Sequence, residues 1–321
     1  LSVLWWWLEW LASFPAVLLP LPMLPAAVLV LFGVGLVCLL APKTLPVRVV
    51  GLLLMLPAAG FRPERAAHGE LWLTLLDVGQ GLSAVLETRD HVLVYDTGPA
   101  FSQGMDSGDS VVAPYLEQRG YRRVDRLVIS HSDNDHLGGG EAVFRRLDVQ
   151  QVQSGEPGAI AWARSNRCRS GQSWTWDGVR FEYLAPLRPG RGNNASCVLR
   201  IETADGRVVL LPGDIEAAVE HQLVVSQPRR LAAQVLLAPH HGSRTSSTPA
   251  FVAAVSPDIV LFAVGYRNRF GFPRPVVVQR YLQRGAKLFD TAQSGAIQLR
   301  LAHGKDVQVI PFRAHRPRYW H

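Results

Sequence analysis

Four side chains that can bind a metal ion stand within six residues: His131, Asp133, Asp135 and His136. The apolar run 127–130 precedes them and three glycines follow, which is typical of a loop that a buried strand delivers to one point. Imidazole and carboxylate groups together suit Zn²⁺, Mn²⁺ or Fe²⁺. The alternative is a polar loop in which an aspartate caps a helix at 139–147. Because two histidines enclose two aspartates, the pattern favours a metal site.

Two further apolar runs end in side chains that can bind a metal. Asp214 follows the run 207–211, and His240 and His241 follow the run 234–238. Asp214 alone would more often cap the helix predicted at 215–224 than bind an ion, and a lone buried histidine would be unremarkable. Because three separate strands end in such groups, the sequence predicts that they meet at one edge.

The elements that must position these groups are short strands and intervening helices. Strands are predicted at 71–77, 82–88, 91–96, 127–130, 179–184, 196–202, 207–211, 234–238, 258–264 and 295–302. Helices are predicted at 109–119, 139–147, 215–224, 247–255 and 275–284. Strand-rich halves with helices between them indicate an α+β fold, in which two sheets pack face to face with helices outside.

The first 61 residues differ in composition from the rest. No charged residue occurs between Trp10 and Pro42. The Trp-rich stretch 1–14 predicts an interfacial helix, and the apolar runs 24–41 and 45–61 predict about two transmembrane helices. We therefore expect a membrane segment over 1–61 and one soluble domain over 62–321.

The chain is basic, with 33 Lys and Arg against 26 Asp and Glu and a formal net charge of +7. A basic surface suits a polyanionic substrate such as DNA, or anionic lipid headgroups. A GC-rich genome that encodes Arg in place of Lys would give the same balance, and the lysines are few: Lys43, Lys287 and Lys305. The charge alone leaves both interpretations open.

The order of these motifs resembles the metallo-β-lactamase superfamily, whose pattern is a strand ending in Asp, an HxHxDH loop, a later histidine, a bridging Asp and a final His. Asp96 in VYDTG matches the first Asp, Asp214 the bridging Asp, and His240 or His241 the final His. The chain departs from the pattern twice. Asp133 replaces the second His of the loop, and the segment 193–197 (NNASC) stands where the later histidine is expected.

These departures point to a narrower group. The chain resembles the C-terminal domain of the ComEC family of competence DNA-internalisation channels. The motifs are LDVGQG (76–81), YDTGP (95–99), SHSDNDHLGG (130–139), NNASCVL (193–199), LLPGD (210–214) and APHHGS (238–243). The preceding apolar runs would then be the last transmembrane helices of that family's competence domain. Family members often carry GHPHP where this chain has 271–275, GFPRP, which leaves Arg274 as a candidate phosphate ligand.

The resemblance implies a metallo-β-lactamase αββα sandwich that acts as a two-metal nuclease on the non-imported DNA strand. Mn²⁺ is the expected ion and Zn²⁺ the alternative, because the chain has more carboxylate and fewer imidazole ligands than the superfamily pattern. The metal ligands would be His131, Asp133, Asp135, His136, Asp214, His240 and His241. Catalytic roles would fall to Asp135, Asp214 and His241, and substrate binding to Asn193, Asn194, Ser196, Ser243 and Arg274. Structural roles would fall to Asp77, Asp96, Gly98, Cys168 and Cys197.

The expected partners are a single strand of the incoming DNA duplex, the membrane, and the remaining parts of the channel and uptake machinery. The expected place is the inner membrane, with the hydrolase domain on its outer face. Positive charges flank both apolar runs and do not decide the orientation. A disulfide between Cys168 and Cys197 is expected on the oxidising side, with two unrelated thiols as the alternative.

Two other functions remain open. One is hydrolysis of a small surface ester such as phosphocholine. The other is a non-catalytic domain that gates the channel. The complete set of candidate ligands favours an enzyme, and a group of arginines favours a polyanionic substrate: Arg188, Arg191, Arg244, Arg267, Arg269 and Arg274.

Overall fold

The computed structural model describes residues 2–13, 22–42 and 45–315. By its internal contacts the chain forms two compact units. One comprises Leu1–Glu64 with Pro114–Arg122, and the other comprises Arg65–Ala113 with Arg123–His321. The predicted metal ligands all belong to the second unit.

The strands lie in the second unit. In chain order they are β1 (Leu71–Leu75), β2 (Ala84–Glu87), β3 (Val92–Tyr95), β4 (Arg123–Val124), β5 (Arg126–Ile129), β6 (Asp148–Val149), β7 (Val152–Ser154), β8 (Ser165–Arg167), β9 (Ser173–Trp176), β10 (Val179–Ala185), β11 (Val198–Glu202), β12 (Val208–Leu211), β13 (Val235–Leu237), β14 (Ile259–Phe262), β15 (Lys287–Asp290), β16 (Ile297–Leu301) and β17 (Gln308–Pro311).

The helices are α1 (Ser2–Ala12), α2 (Ala26–Leu40), α3 (Arg48–Gly60), α4 (Ala113–Gln118), α5 (Asn134–Leu137), α6 (Gly140–Arg146), α7 (Ala217–Ser226), α8 (Pro228–Leu231), α9 (Pro249–Val255), α10 (Pro275–Leu282), α11 (Thr291–Ser294) and α12 (Phe312–His315). A π-helical turn, Gly108–Val112, precedes α4. Short 3₁₀ turns occur at Ser102–Gly104, Pro157–Ala159, Asn193–Ala195 and Pro239–Gly242.

Two large sheets form a sandwich. The first has the strand order β17-β16-β1-β2-β3-β5-β7-β8, and the second has the order β15-β14-β13-β12-β11-β10-β9. Side chains from both sheets, such as Leu73 and Leu86 from the first and Phe181 and Leu199 from the second, share one buried apolar cluster. A second cluster packs α7, α9 and α10 against the other face of the second sheet. The predicted α+β sandwich is therefore confirmed.

Parallel pairing brings several strand ends together at one edge of each sheet. Strand β3 is parallel to β5, and β12, β13 and β14 are parallel to one another. The carboxyl ends of parallel neighbours meet at the same edge, which is where α/β proteins place their ligands. The residues that follow these ends are Asp96 after β3, Ser130 and His131 after β5, Asp214 after β12, His240 and His241 after β13, and Ala263 after β14.

The first unit contains α1, α2 and α3. Helices α2 and α3 approach each other closely at Gly35 and Gly51. A Cβ added to Gly35 would lie only 2.7 Å from the carbonyl oxygen of Gly51. Helix α2 is shorter than the apolar run that predicted it, since Pro25 precedes it and Ala41, the residue before Pro42, is extended. Among the described residues, no helix combines the length and apolar character that crossing a membrane requires.

The predicted disulfide is present. Cys168 and Cys197 are bonded, with their Cα atoms 5.9 Å apart, and both residues are fully buried. Cys168 follows β8 of the first sheet and Cys197 precedes β11 of the second. The bond therefore joins the two layers beside the edge at which the candidate ligands meet.

Candidate metal centre

Three buried imidazole rings are held by the fold through their Nδ1 atoms. His136 Nδ1 lies 2.7 Å from Asp96 Oδ2, and His241 Nδ1 lies 2.7 Å from the carbonyl oxygen of Ala263. His131 Nδ1 lies 3.0 Å from Ser130 Oγ. A carbonyl oxygen can only accept a hydrogen bond, so His241 carries its proton on Nδ1. The Ser130 hydroxyl donates to Asp96, so the ring of His131 donates to Ser130.

The Nε2 atoms of these rings therefore point into a common space. His136 Nε2 lies 3.3 Å from His241 Nε2 and 3.2 Å from Asp214 Oδ1. His241 Nε2 lies 3.2 Å from Asp135 Oδ2 and 3.5 Å from Asp214 Oδ2. Two candidate metal-binding groups result, His131–His136–Asp214 and Asp135–His136–His241. They share His136, whose single Nε2 lone pair can bind only one ion.

The donors in this space suit a divalent cation. With Nδ1 protonated, the Nε2 lone pairs of His136 and His241 face each other at 3.3 Å, and a metal ion or a proton between or beside them would relieve that repulsion. His131 Nε2 is buried and has no hydrogen-bond partner among the described residues, a costly state for a polar atom unless another group binds it. Imidazole nitrogens oriented by carboxylate and carbonyl partners are typical of metal ligands.

The charged groups in the site shift one another's pKa values. Burial alone would raise the pKa of Asp135, but its hydrogen bond to His241 and the charge of His136 lower that pKa to about 2. Burial would also raise the pKa of Asp214, yet His136 and His241 hold it well below its usual range. Burial would lower the pKa of His136, whereas the carboxylates of Asp214 and Asp96 raise it well above its usual value. The pocket therefore stabilises positive charge next to two ionised carboxylates.

Asp133 stands at the mouth of the site. Its side chain is 56% exposed, and its Oδ2 atom lies 3.5 Å from His131 Nε2. The nearby imidazole of His131 is the main reason that the pKa of Asp133 is lowered. Asp133 belongs to neither group of convergent donors in the described part of the chain, although its carboxylate faces the open nitrogen of His131.

The turn Pro239–Gly242 separates the roles of its two histidines. Both have left-handed backbone angles, φ 50° for His240 and φ 55° for His241, a conformation that costs energy outside glycine and clusters at functional sites. The turn directs His241 into the group. His240 Nε2 is 3.8 Å from Asp214 Oδ2, and its Nδ1 lies 3.2 Å from Thr245 Oγ1. The geometry therefore favours His241 as the ligand.

The residues predicted to bind substrate differ in their exposure and in their hydrogen-bond partners. Ser196 is fully buried, its hydroxyl donates to Asn193 O at 2.7 Å, and it accepts from the backbone of Asp214 at 3.1 Å. In this structure the Ser196 hydroxyl positions the Asp214 segment, and its role in substrate binding stays a prediction. Asn194 accepts from Glu216 N at 3.0 Å, at the start of α7, and its side chain is exposed.

Ser243 and Arg274 lie beside the histidine turn. Ser243 is buried, and its hydroxyl lies 3.1 Å from Thr245 Oγ1. The backbone N–H of Arg274 donates to Gly242 O at 3.0 Å, and its guanidinium carbon lies 5.7 Å from the ring centre of Phe272. Arg274 Nε is buried without a hydrogen-bond partner in the described residues. The prediction that Arg274 and Ser243 bind phosphate stays a prediction.

The predicted structural positions have identifiable physical reasons. A Cβ on Gly98, which has φ 69°, would lie 2.6 Å from Ser107 Oγ. Asp77 accepts from Gly79 N at 3.3 Å and lies 3.1 Å from Arg313. Ser130 lies outside the predicted site residues, yet its hydroxyl hydrogen-bonds both Asp96 and His131. Its place directly before the metal loop was the available signal.

Replacing Asp96 by Asn is expected to weaken metal binding by about 10- to 100-fold, because the carboxylate that orients His136 would be lost. Asp96 has φ 58°, a conformation that Asn also tolerates, so the backbone need not change. Metal titration by calorimetry measures the effect. Asp177→Asn is the matched control, since Asp177 has φ 48° and pairs with His91 Nδ1 at 2.9 Å outside the site. Equal affinities in Asp96→Asn and Asp177→Asn would contradict the expectation.

Comparisons with known proteins agree with this geometry. The Metallo-beta-lactamase superfamily matches residues 76–265. Competence protein ComA of Neisseria gonorrhoeae is 37% identical over 303 residues, which are 92% of this chain and 42% of that protein. Recombination protein 2 of Haemophilus influenzae is 31% identical over 229 residues, 70% of this chain and 28% of that protein. The chain thus spans less than half the length of these relatives.

The similarity to solved structures is low. A metallo hydrolase from the archaeon Ignicoccus hospitalis is 16% identical with a TM-score of 0.47, and the match covers 71% of this chain and 98% of that one. The curated relatives confirm the predicted resemblance to the ComEC family. The residues 76–265 that match include the metal loop, Asp214 and both histidines of the turn, so the chain belongs to the metallo-beta-lactamase superfamily.

Proposed function

We propose that this chain is the nuclease domain of a membrane DNA-uptake protein and that it hydrolyses the strand that is not imported. The observation that carries the proposal is the convergence of His136 Nε2, His241 Nε2 and the Asp214 carboxylate within 3.5 Å of one another. The relatives named for competence and recombination support DNA as the substrate. The net charge of +7 supports a polyanion.

Two divalent ions fit the donors, with Mn²⁺ first and Zn²⁺ as the alternative. Asp135, His136 and His241 would hold one ion, His131 and Asp133 would hold the other, and Asp214 would bridge them. When bound, such ions activate water and neutralise charge on phosphate oxygens. The protein's own part is to hold each imidazole by its Nδ1 atom with Nε2 aimed inward, which Asp96, Ser130 and the carbonyl of Ala263 do.

The membrane setting is also part of the proposal. We place the chain at the inner membrane next to the rest of the channel, with the hydrolase domain on the outer face. The support is the Cys168–Cys197 disulfide, because disulfides persist in oxidising compartments. The exposed tryptophans of α1, Trp5, Trp6, Trp7 and Trp10, suit the membrane–water interface.

The function is tested with the full chain, stripped of metal by EDTA and then given Mn²⁺, Zn²⁺ or Mg²⁺ singly. We expect cleavage of labelled DNA with Mn²⁺, less with Zn²⁺, and none in EDTA, because the donors combine imidazole with carboxylate. A chromogenic phosphocholine ester serves as a second substrate and is expected to stay intact. Cleavage of that ester but not of DNA would overturn the proposal in favour of a small-ester hydrolase. Inactivity towards both substrates with every ion would overturn an enzymatic role.

A further inference from the structure

The segment Tyr266–Arg274, between β14 and α10, alternates aromatic rings with arginines. We call it the aromatic–arginine loop. Its rings are those of Tyr266, Phe270 and Phe272, and its guanidinium groups are those of Arg267, Arg269 and Arg274. No acidic residue occurs between Asp258 and Asp290 in the sequence. The loop therefore offers flat apolar surfaces within a region of positive charge.

The rings form a nearly parallel series that begins at the metal centre. His241 and Phe272 have ring centres 6.5 Å apart at an interplanar angle of 17°, and Phe272 and Phe270 have centres 5.5 Å apart, also at 17°. Phe270 is 40% exposed and Tyr266 is 71% exposed. The series therefore runs from a candidate metal ligand to Phe270, a ring that is partly open to solvent.

Hydrogen bonds from one side chain hold the loop in this shape. Asn268 accepts from the backbone N–H of Phe272 at 2.9 Å and donates to the Phe272 carbonyl at 2.7 Å. The backbone N–H of Arg274 donates to Gly242 in the histidine turn at 3.0 Å. A preorganised surface loses less conformational entropy when a ligand binds. The backbone from Asn268 to Arg274 is therefore held in one shape before a ligand binds.

Each exposed ring has an arginine beside it. The guanidinium carbon lies 4.8 Å from the ring centre of Phe270 for Arg269 and 5.2 Å from that of Tyr266 for Arg267. Sites for single-stranded nucleic acid combine these two elements, because bases stack on the rings while cations follow the phosphates. Paired bases hide their faces inside a duplex, so exposed rings favour an unpaired strand.

We propose that the aromatic–arginine loop binds the unpaired nucleotides next to the bond being cut, with bases on Phe270 and Tyr266 and phosphates on Arg267 and Arg269. The inference rests on the proposed function, since the bond being cut is that of a DNA strand at the metal centre. Aromatic rings beside arginines also suit an anionic lipid surface. The parallel series that starts at His241 favours a strand leading into the site.

Binding is measured with the full chain in EDTA, so that cleavage plays no part. The probe is a labelled oligothymidine of about 20 nucleotides, with a duplex of equal length beside it. In the double variant Tyr266→Ala/Phe270→Ala, we expect the single-strand Kd to rise about tenfold or more and the duplex Kd to stay within about twofold. When Phe270→Trp replaces Phe270→Ala in this double variant, we expect single-strand binding to be restored, since tryptophan keeps a ring face for stacking.

Charge is separated from stacking by a second variant, Arg267→Gln/Arg269→Gln. We expect it to weaken both probes and to reduce the slope of log K against log salt by about 0.7 for each single-strand phosphate that is no longer neutralised. The ring variant should leave that slope unchanged. Phe312→Ala is the matched control, because Phe312 is 44% exposed and follows β17 of the other sheet.

The inference would be overturned by an unchanged single-strand Kd in the ring variant, or by an equal loss of affinity for single strand and duplex. Anionic phosphatidylglycerol vesicles serve as a third probe. A loss of affinity confined to these vesicles would also overturn the inference. The cleavage assay with Mn²⁺ judges the proposed function separately. Ring-dependent strand binding without any cleavage would overturn the nuclease proposal and keep the loop as a strand-binding surface. Cleavage with ring-independent binding would overturn the loop alone.

Discussion

Asp214→Ala is expected to abolish metal-dependent DNA cleavage, with a loss of at least about 10³-fold, since metal ions supply several kcal/mol of transition-state stabilisation. Asp214 is the carboxylate that contacts the most imidazoles of the centre. Its oxygens lie 3.2 Å from His136 Nε2, 3.5 Å from His241 Nε2 and 3.8 Å from His240 Nε2. Removing it takes away the proposed bridge between two ions.

The substitution should spare the fold. The backbone N–H of Asp214 is bonded by Ser196, and that bond does not depend on the Asp214 side chain. Cleavage of labelled DNA and metal affinity by calorimetry are both measured, with thermal unfolding as the check on folding. Asp205→Ala is the control, because Asp205 pairs with Arg207 on the surface outside the centre.

Asp133→Ala should lose cleavage too, but with a smaller fall in metal affinity. Its exposed carboxylate contacts only one ring of the centre, that of His131. Wild-type cleavage by Asp214→Ala would contradict the assignment of this residue. Equal falls in metal affinity for the two variants would show that Asp133 is a full member of the buried group.

The strand ends could be predicted from sequence because each apolar run stops where its polar group begins. Strands β5, β12 and β13 lie where the runs 127–130, 207–211 and 234–238 predicted them. Parallel pairing follows from helices between strands, so the meeting of the β12 and β13 ends was predictable. The approach of the β5 end was not, because β5 lies in the other sheet. Short or polar strands escaped prediction: β8, with the sequence SNR, has no apolar residue, and β9 is only half buried.

The choice between His240 and His241 could not be made from sequence. Adjacent residues usually point in different directions, and which one faces the site depends here on two consecutive left-handed backbone angles. The residue types do not predict these left-handed angles, because both residues are histidines and glycine, the usual residue at such angles, follows only at Gly242. Likewise, the role of Ser196 depends on a hydrogen bond to a segment 18 residues away in sequence. Such contacts exist only once the two sheets are packed.

The disulfide was predictable as a pairing, but its link to the site was not. The backbone N–H of Cys197 donates to the carbonyl of Ser130 at 3.2 Å, and that of Cys168 donates to Ser154 at 3.0 Å. Ser130 bonds both Asp96 and His131, and Ser196, the neighbour of Cys197, supports Asp214. The covalent bond therefore anchors the segment that positions ligands from both sheets.

The double variant Cys168→Ala/Cys197→Ala is expected to lower the free energy of unfolding by about 3–4 kcal/mol, because an open loop gives the unfolded chain more conformational entropy. The sequence separation of 29 residues sets this magnitude. Denaturant unfolding measures it, and reducing agent should produce the same fall in the wild-type protein once the buried bond becomes accessible.

Metal affinity should fall along with stability, because the loosened Ser196 segment no longer fixes Asp214. Cys38→Ala is the control, since Cys38 is a free cysteine in α2, and it should change neither quantity. An unchanged unfolding midpoint in the double variant would show that the bond adds nothing to stability. A large loss of stability with full metal affinity would show instead that packing alone holds Ser130 and Asp214 in place.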